Sequence, residues 1–187
     1  LNIWPVDGCK QQCGFCRRCY MDIPFESQSL EFLKEKLDWF KQHHPEQMKK
    51  ISLRAENLTE YGLDLYGSQR LPDVISLINS YDEVKEINLD IGMNIGEITD
   101  EILDSLNKCK KIKSIYMNFE AGTNRLLKLI NKPHNVERAK YVAKSLREAN
   151  PAIKICSTVM IGLPTETLTD IHALADLISD VYIDLIA

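Results

Sequence analysis

Ile153-Lys154-Ile155-Cys156-Ser157-Thr158-Val159-Met160-Ile161 is an almost unbroken apolar run. Without strict alternation, such a segment is expected to be a strand of a parallel sheet covered on both faces. A helix-period segment precedes it, Val136–Asn150 with Asn135 as its cap, and another follows, Thr167–Ser179. The alternation continues towards both ends. Leu1–Val6 reads as a strand, and Ser29–His43 as a helix with Leu30, Leu33, Leu37 and Phe40 on one face. Ile51–Leu53 opens a strand, Leu71–Tyr81 is helical, and Val84–Met93 is a strand in which Ile87, Leu89 and Ile91 alternate. A helix opening at Thr99 or the turn before it carries Ile102, Leu103 and Leu106; Ile112–Phe119 is a strand. Asn124–Asn131 is a short helix stopped by Pro133, and Val181–Ala187 begins a sixth strand.

Five βα units and a final strand, with connections too long for hairpins, predict an α/β fold whose parallel strands are joined by right-handed crossovers. The pattern alone does not separate a partial (β/α) barrel from an open doubly wound sheet. In both, ligands gather at the C-terminal ends of the strands. The 187 residues, 44% hydrophobic, suit one domain over 1–187 with a sizeable core. A net charge of −4 argues against a broadly basic nucleic-acid binder. No apolar run approaches the ~20 residues of a membrane helix. The start, Leu1-Asn2-Ile3-Trp4-Pro5, lacks a charged-then-apolar secretory pattern and an initiator Met. The expectation is a soluble cytoplasmic piece of a longer chain.

Cys9, Cys13 and Cys16 follow the first strand in the run Gly8-Cys9-Lys10-Gln11-Gln12-Cys13-Gly14-Phe15-Cys16. Such short gaps let three thiolates converge on a cluster that leaves one iron open. Gly8 and Gly14 are expected to give the loop its tight path. Cys19 adds a further two-residue gap. As a fourth ligand it would close the cluster into an electron carrier or complete a zinc scaffold; as an unligated thiol it would leave the vacancy. Disulfide pairing is disfavoured by the clustering. Cys109 and Cys156 read as small core hydrophobes, His134 and His172 as solvated, and the basic run Lys108, Lys110, Lys111 and Lys113 as a solvated face.

The cysteine loop, with Phe15 before its last cysteine, resembles the signature of the radical S-adenosylmethionine superfamily. Asn57–Gly67, Glu120–Lys132 and Val159–Thr167 are similar, in order and position, to segments of the methylthiotransferases that modify transfer RNA or a ribosomal protein. The resemblance implies a partial (β/α)6-type barrel with parallel strands and a truncated sixth unit. It also implies a 4Fe-4S cluster on Cys9, Cys13 and Cys16, and S-adenosyl-L-methionine cleaved reductively to a 5′-deoxyadenosyl radical. Cofactor contacts carried over by position are Phe15 beside the adenine, Glu56 for the methionine ammonium, Glu120 for ribose hydroxyls, and Thr158 and Gly162 near the adenine. Glu166 reads instead as a helix-opening charge. Implied partners are an electron donor protein such as flavodoxin or ferredoxin and a macromolecular substrate, RNA or protein, with flanking domains outside this segment. A superfamily member acting on a peptide or cobalamin-linked substrate is the alternative. The chain departs from the methylthiotransferase pattern at Cys19, where the family has a proline, and in Met21–Ser29, which contains no arginine.

Overall fold

The computed structural model describes residues 1–21 and 23–186, with the Cys19 side chain outside that set. The chain begins with β1 (Asn2–Ile3) and β2 (Val6–Asp7); β2 pairs antiparallel with β3 (Glu26–Ser27) across the base of the cysteine loop. It continues through α1 (Leu30–His43), β4 (Lys50–Leu53), α2 (Leu71–Asn79), β5 (Glu86–Met93), α3 (Asp100–Lys108) and β6 (Ile112–Met117). Then come α4 (Asn124–Leu129), α5 (Val136–Ala149), β7 (Lys154–Ser157), α6 (Leu168–Val181) and β8 (Leu185–Ile186). The strand expected over Leu1–Val6 is broken because Pro5 has no N–H to donate and its carbonyl accepts from Gln28 instead.

The main sheet is parallel throughout, in the order β1-β4-β5-β6-β7-β8. Each crossover moves one place in the same direction. Right-handed connections of that kind put the helices on one face, whereas a doubly wound sheet reverses its order. This resolves the ambiguity of the sequence in favour of barrel-type winding. The sheet is an open arc among the described residues, with β1 and β8 at its edges.

One-sided winding corrects the reading of Ile153–Ile161. Ile155 is buried against the helices, but Cys156 and Thr158 are half-buried on the other face, and Ile161 is exposed. The regular strand stops at Ser157, with Val159 making one further bridge to Glu120. Along β5, Ile87 and Leu89 are fully buried while Ile91 is exposed, because the register with β6 shifts between Leu89 and Met93. The helix-side core joins Ile51, Leu53, Ile87, Leu89, Ile115 and Ile155 to Leu33, Leu37, Val74, Ile78, Ile102, Val142 and Leu177.

Local signals set the helix starts. Ser29, Thr99 and Asn135 accept the N–H three residues on, and Thr167 with Asp170 forms a reciprocal capping box. The basic run is spent on carbonyls: Lys110 Nζ donates to Asn107 and Ala149, and Lys111 Nζ to Asn79 and Tyr81. Cys109 is buried as expected, whereas Cys156 lines a cavity on the open sheet face.

Candidate functional site

The cysteine loop leaves the C-terminal end of the first strands and is tied down by three crossovers. Gly8 has φ +80, and a Cβ there would lie 2.6 Å from the Pro24 carbonyl oxygen. At Gly14 a Cβ would meet nothing closer than 3.7 Å, so only the first glycine is required by space. The Gly8 N–H donates to Glu56 Oε2 (3.0 Å) and the Lys10 N–H to Glu60 Oε2 (2.8 Å). Beyond α4, the Ile130 carbonyl accepts from the Gly14 N–H (2.9 Å), and Asn131 Nδ2 donates to the Gln12 carbonyl (2.6 Å).

Beneath the loop is a cavity of about 250 Å³. Cys9, Cys13 and Cys16 line it together with Phe15, Glu56 and Glu120; its other walls include Arg18, Asn94, Asn118 and Lys132. Among the described residues, no three Cys, His, Asp or Glu side chains meet as ligands of one ion would. The three thiols instead surround a shared space. Burial pushes the Cys9 thiol up to about 12; Glu60 and Glu97 push the same way, against the Gln11 N–H that donates to its sulfur at 3.4 Å. A bound metal inverts that preference, because a coordinating thiol is deprotonated.

Glu56 is half-buried, and its carboxylate accepts from the Arg18 guanidinium as well as the Gly8 N–H. Glu120, with φ 62, is buried opposite Lys132 at 3.4 Å. Burial raises the Glu120 pKa, and the Lys132 charge opposes that rise. The Lys132 ammonium also stands 6.0 Å from the centre of the Phe15 ring, which is half in solvent at the cavity rim. Gly92, another wall residue, has φ +89 and passes so close to the chain just beyond β4 that a Cβ would lie 2.3 Å from the Ala55 oxygen.

Thr158 lies beside this group without lining the cavity: its carbonyl accepts from the Glu120 N–H (3.1 Å), and its hydroxyl bonds the Tyr116 hydroxyl (2.7 Å). Gly162 stands apart, exposed, with φ +86 and nothing within 4 Å of a Cβ position. Glu166 stands directly before the α6 cap Thr167 and accepts from the Gly162 N–H (2.5 Å). The question posed by Cys19 lies outside the described residues. His172 is exposed, but His134 is 7% exposed, which corrects the expectation of a solvated ring. It is covered where α4 and α5 meet, and burial lowers its pKa to about 4.

Sequence reasoning missed Arg18, Gln11, Glu60, Asn94, Glu97, Asn118 and Lys132. The one available signal was Asn118, on the same alternate face of its strand as Ser114 and Tyr116. The Oδ1 atoms of Asn94 and Asn118 are buried at the cavity without a hydrogen-bond partner. Two unmet acceptors beside three thiols suit a ligand that brings its own donors. Under the loop, Glu97 accepts from Asn57 Nδ2 (2.6 Å) and Thr59 Oγ1 (2.9 Å); burial raises its pKa and the neighbouring Glu60 adds to the rise.

Residues 4–178 match the family described as the Radical SAM superfamily. The ribosomal protein uS12 methylthiotransferase RimO of Fervidobacterium nodosum is 28% identical over 179 residues, covering 96% of this chain and 41% of that protein. The tRNA-2-methylthio-N(6)-dimethylallyladenosine synthase of Clostridium botulinum is 23% identical, covering 95% and 39%. Among solved structures, the radical S-adenosylmethionine methyltransferase TsrM of Kitasatospora setae superposes with a TM-score of 0.75 at 13% identity, over 99% of this chain and 35% of that one. The chain thus spans about two-fifths of the length of the curated relatives it matches. No helix among the described residues is long and apolar enough to cross a membrane.

Proposed function

Since the chain belongs to the radical S-adenosylmethionine superfamily, whose members use a 4Fe-4S cluster and S-adenosylmethionine, we propose that it is the catalytic core of a methylthiotransferase-like radical enzyme. The observation that carries this reading is the convergence of Cys9, Cys13 and Cys16 on one cavity whose far wall holds the unmet acceptors of Asn94 and Asn118. Three thiolates fit a cluster with one open iron, and an ammonium or ribose hydroxyl supplies the donors those amides lack.

Cys9, Cys13 and Cys16 would hold the cluster. When bound, it supplies the electron that cleaves the sulfonium of S-adenosylmethionine. Glu56 offers the negative charge for the methionine ammonium, and Arg18 must share or yield that carboxylate. Glu120 is held by Lys132 and accepts from ribose hydroxyls; the Lys132 charge faces the same space and favours an anionic group there. Phe15 offers an apolar surface to the adenine at the rim; Thr158 and Gly162, which follow β7 outside the cavity lining, are the more distant candidates for that contact. The enclosed part of the cavity would limit the access of water to the reacting groups. A flavodoxin- or ferredoxin-like donor supplies the electron, and RNA or a protein is the substrate.

Anaerobic reconstitution tests the reading. Wild type should take up iron and sulfide, change its electron paramagnetic resonance spectrum when S-adenosylmethionine is added, and release 5′-deoxyadenosine on reduction. Cys13→Ala should lose the cluster and Cys19→Ala should keep it. Cluster loss in Cys19→Ala, with no spectral response to the cofactor in wild type, would point to a closed four-cysteine module instead.

A further inference from the structure

The cysteine loop rests on a carboxylate that the proposed cofactor site does not use. Glu60 is 1% exposed. Its Oε2 accepts from the Lys10 N–H at 2.8 Å and its Oε1 from Gln11 Nε2 at 3.1 Å. The same Gln11 amide also donates to Glu97, so its side chain is fastened between carboxylates from two crossovers, one after β4 and one after β5. The backbone N–H of that fastened residue is the one directed at Cys9 Sγ. The Lys10 ammonium is elsewhere, 4.7 Å over the centre of the Phe25 ring, so it does not neutralise Glu60.

A rigid N–H directed at a cluster sulfur and a fixed charge nearby are both levers on an iron–sulfur potential. We propose that Glu60 is a positioning residue for the cluster: through Lys10 and Gln11 it fixes the N–H that meets the Cys9 sulfur, and the negative charge of the Glu60–Glu97 carboxylate pair keeps the cluster strongly reducing. The charge acts because a one-electron reduction, fed by a low-potential donor protein, adds negative charge beside a carboxylate that water does not screen. The proposal rests on the cluster assignment made under Proposed function.

Two variants separate its parts. Glu60→Gln removes one of the two carboxylates and keeps an oxygen for the Lys10 N–H, with Gln11 still held by Glu97; Glu60→Leu removes both oxygens. In the reconstituted full chain, a redox titration followed by electron paramagnetic resonance should place the Glu60→Gln midpoint above that of wild type at equal iron content. Amide hydrogen exchange over residues 9–13 should quicken less in Glu60→Gln than in Glu60→Leu, because the Gln amide keeps one oxygen for the Lys10 N–H but cannot accept from Gln11 Nε2. In Glu60→Leu, which loses the hydrogen bonds from both the Lys10 N–H and Gln11 Nε2, it should quicken about tenfold or more, with or without iron. A merely structural role for Glu60 would leave the Glu60→Gln midpoint unmoved and overturn the proposal, as would unchanged exchange in Glu60→Leu. Failure of wild type to assemble a cluster defeats the cluster assignment; the exchange comparison on the iron-free chain still decides whether Glu60 holds the loop. Should Glu60→Leu not fold, Gln11→Ala, which removes the side chain gripped by both carboxylates, replaces it with the same expected exchange.

Discussion

Replacing Lys132 with methionine removes the cation that faces Glu120 inside the cavity while keeping most of the side-chain volume. The ammonium and carboxylate are 3.4 Å apart, and their side chains are 5% and 3% exposed. At an effective dielectric of about 20 the attraction is about 5 kcal/mol. Removing one partner leaves a buried charge uncompensated, so Lys132→Met should cost about 3–5 kcal/mol in urea unfolding near neutral pH. Burial already holds the Glu120 pKa above its ordinary value. Without Lys132 that pKa rises further, and an acid with a raised folded pKa destabilises the fold at pH values above it. The Lys132→Met penalty should therefore shrink as the pH falls and Glu120 takes up a proton. The double variant Lys132→Met/Glu120→Gln should recover most of the loss, because no unpaired charge remains. A single-variant cost below about 1 kcal/mol, or a double variant no more stable than Lys132→Met, would refute the buried pair as a unit.

His134 gives a prediction of the opposite slope. Its folded pKa of about 4 lies below the ordinary 6.5, so the neutral ring stabilises the fold above pH 6.5 and that stability drains away as the pH falls towards 4. At about 1.36 kcal/mol per unit the total is roughly 3 kcal/mol, and His134→Gln should flatten that part of the pH–stability curve measured by thermal unfolding. A variant curve parallel to wild type across this window would contradict the burial. Gly92→Ala forces a Cβ to within 2.3 Å of the Ala55 oxygen at φ +89. A loss of roughly 2–5 kcal/mol is expected in chemical denaturation, and a near-neutral result would mean that β5 can retreat from the Ala55–Glu56 backbone.

The cysteine spacing, the helix caps and the order of β and α elements were legible because each depends on residues a few positions apart. Asn135 caps where the sequence placed it, and Ser29, Thr99 and Thr167, read as the openings of their helices, are the caps just before them. Strand lengths were less legible. Val159–Ile161 is as apolar as the residues before it, yet it leaves the regular strand beyond Ser157, where the chain reaches the open end of the sheet. The candidate site was read in part: the three cysteines, Phe15, Glu56 and Glu120 line one cavity, whereas Thr158 and Gly162 do not.

By itself the sequence determined the repeating βα units, the cysteine loop after the first strand and the kinship its motifs carry, since these are local patterns along the chain. Only the tertiary structure decided that the crossovers all step the same way, leaving one sheet face open. It alone set Lys132 on Glu120, enclosed His134 and brought Glu60 and Glu97 beneath Gln11. Glu60 and Glu97 lie 49 and 86 residues from Gln11 along the chain. No periodicity encodes such meetings; they arise when helices packed on one face of a curved sheet bring the strand ends, and the loops leaving them, around a common centre.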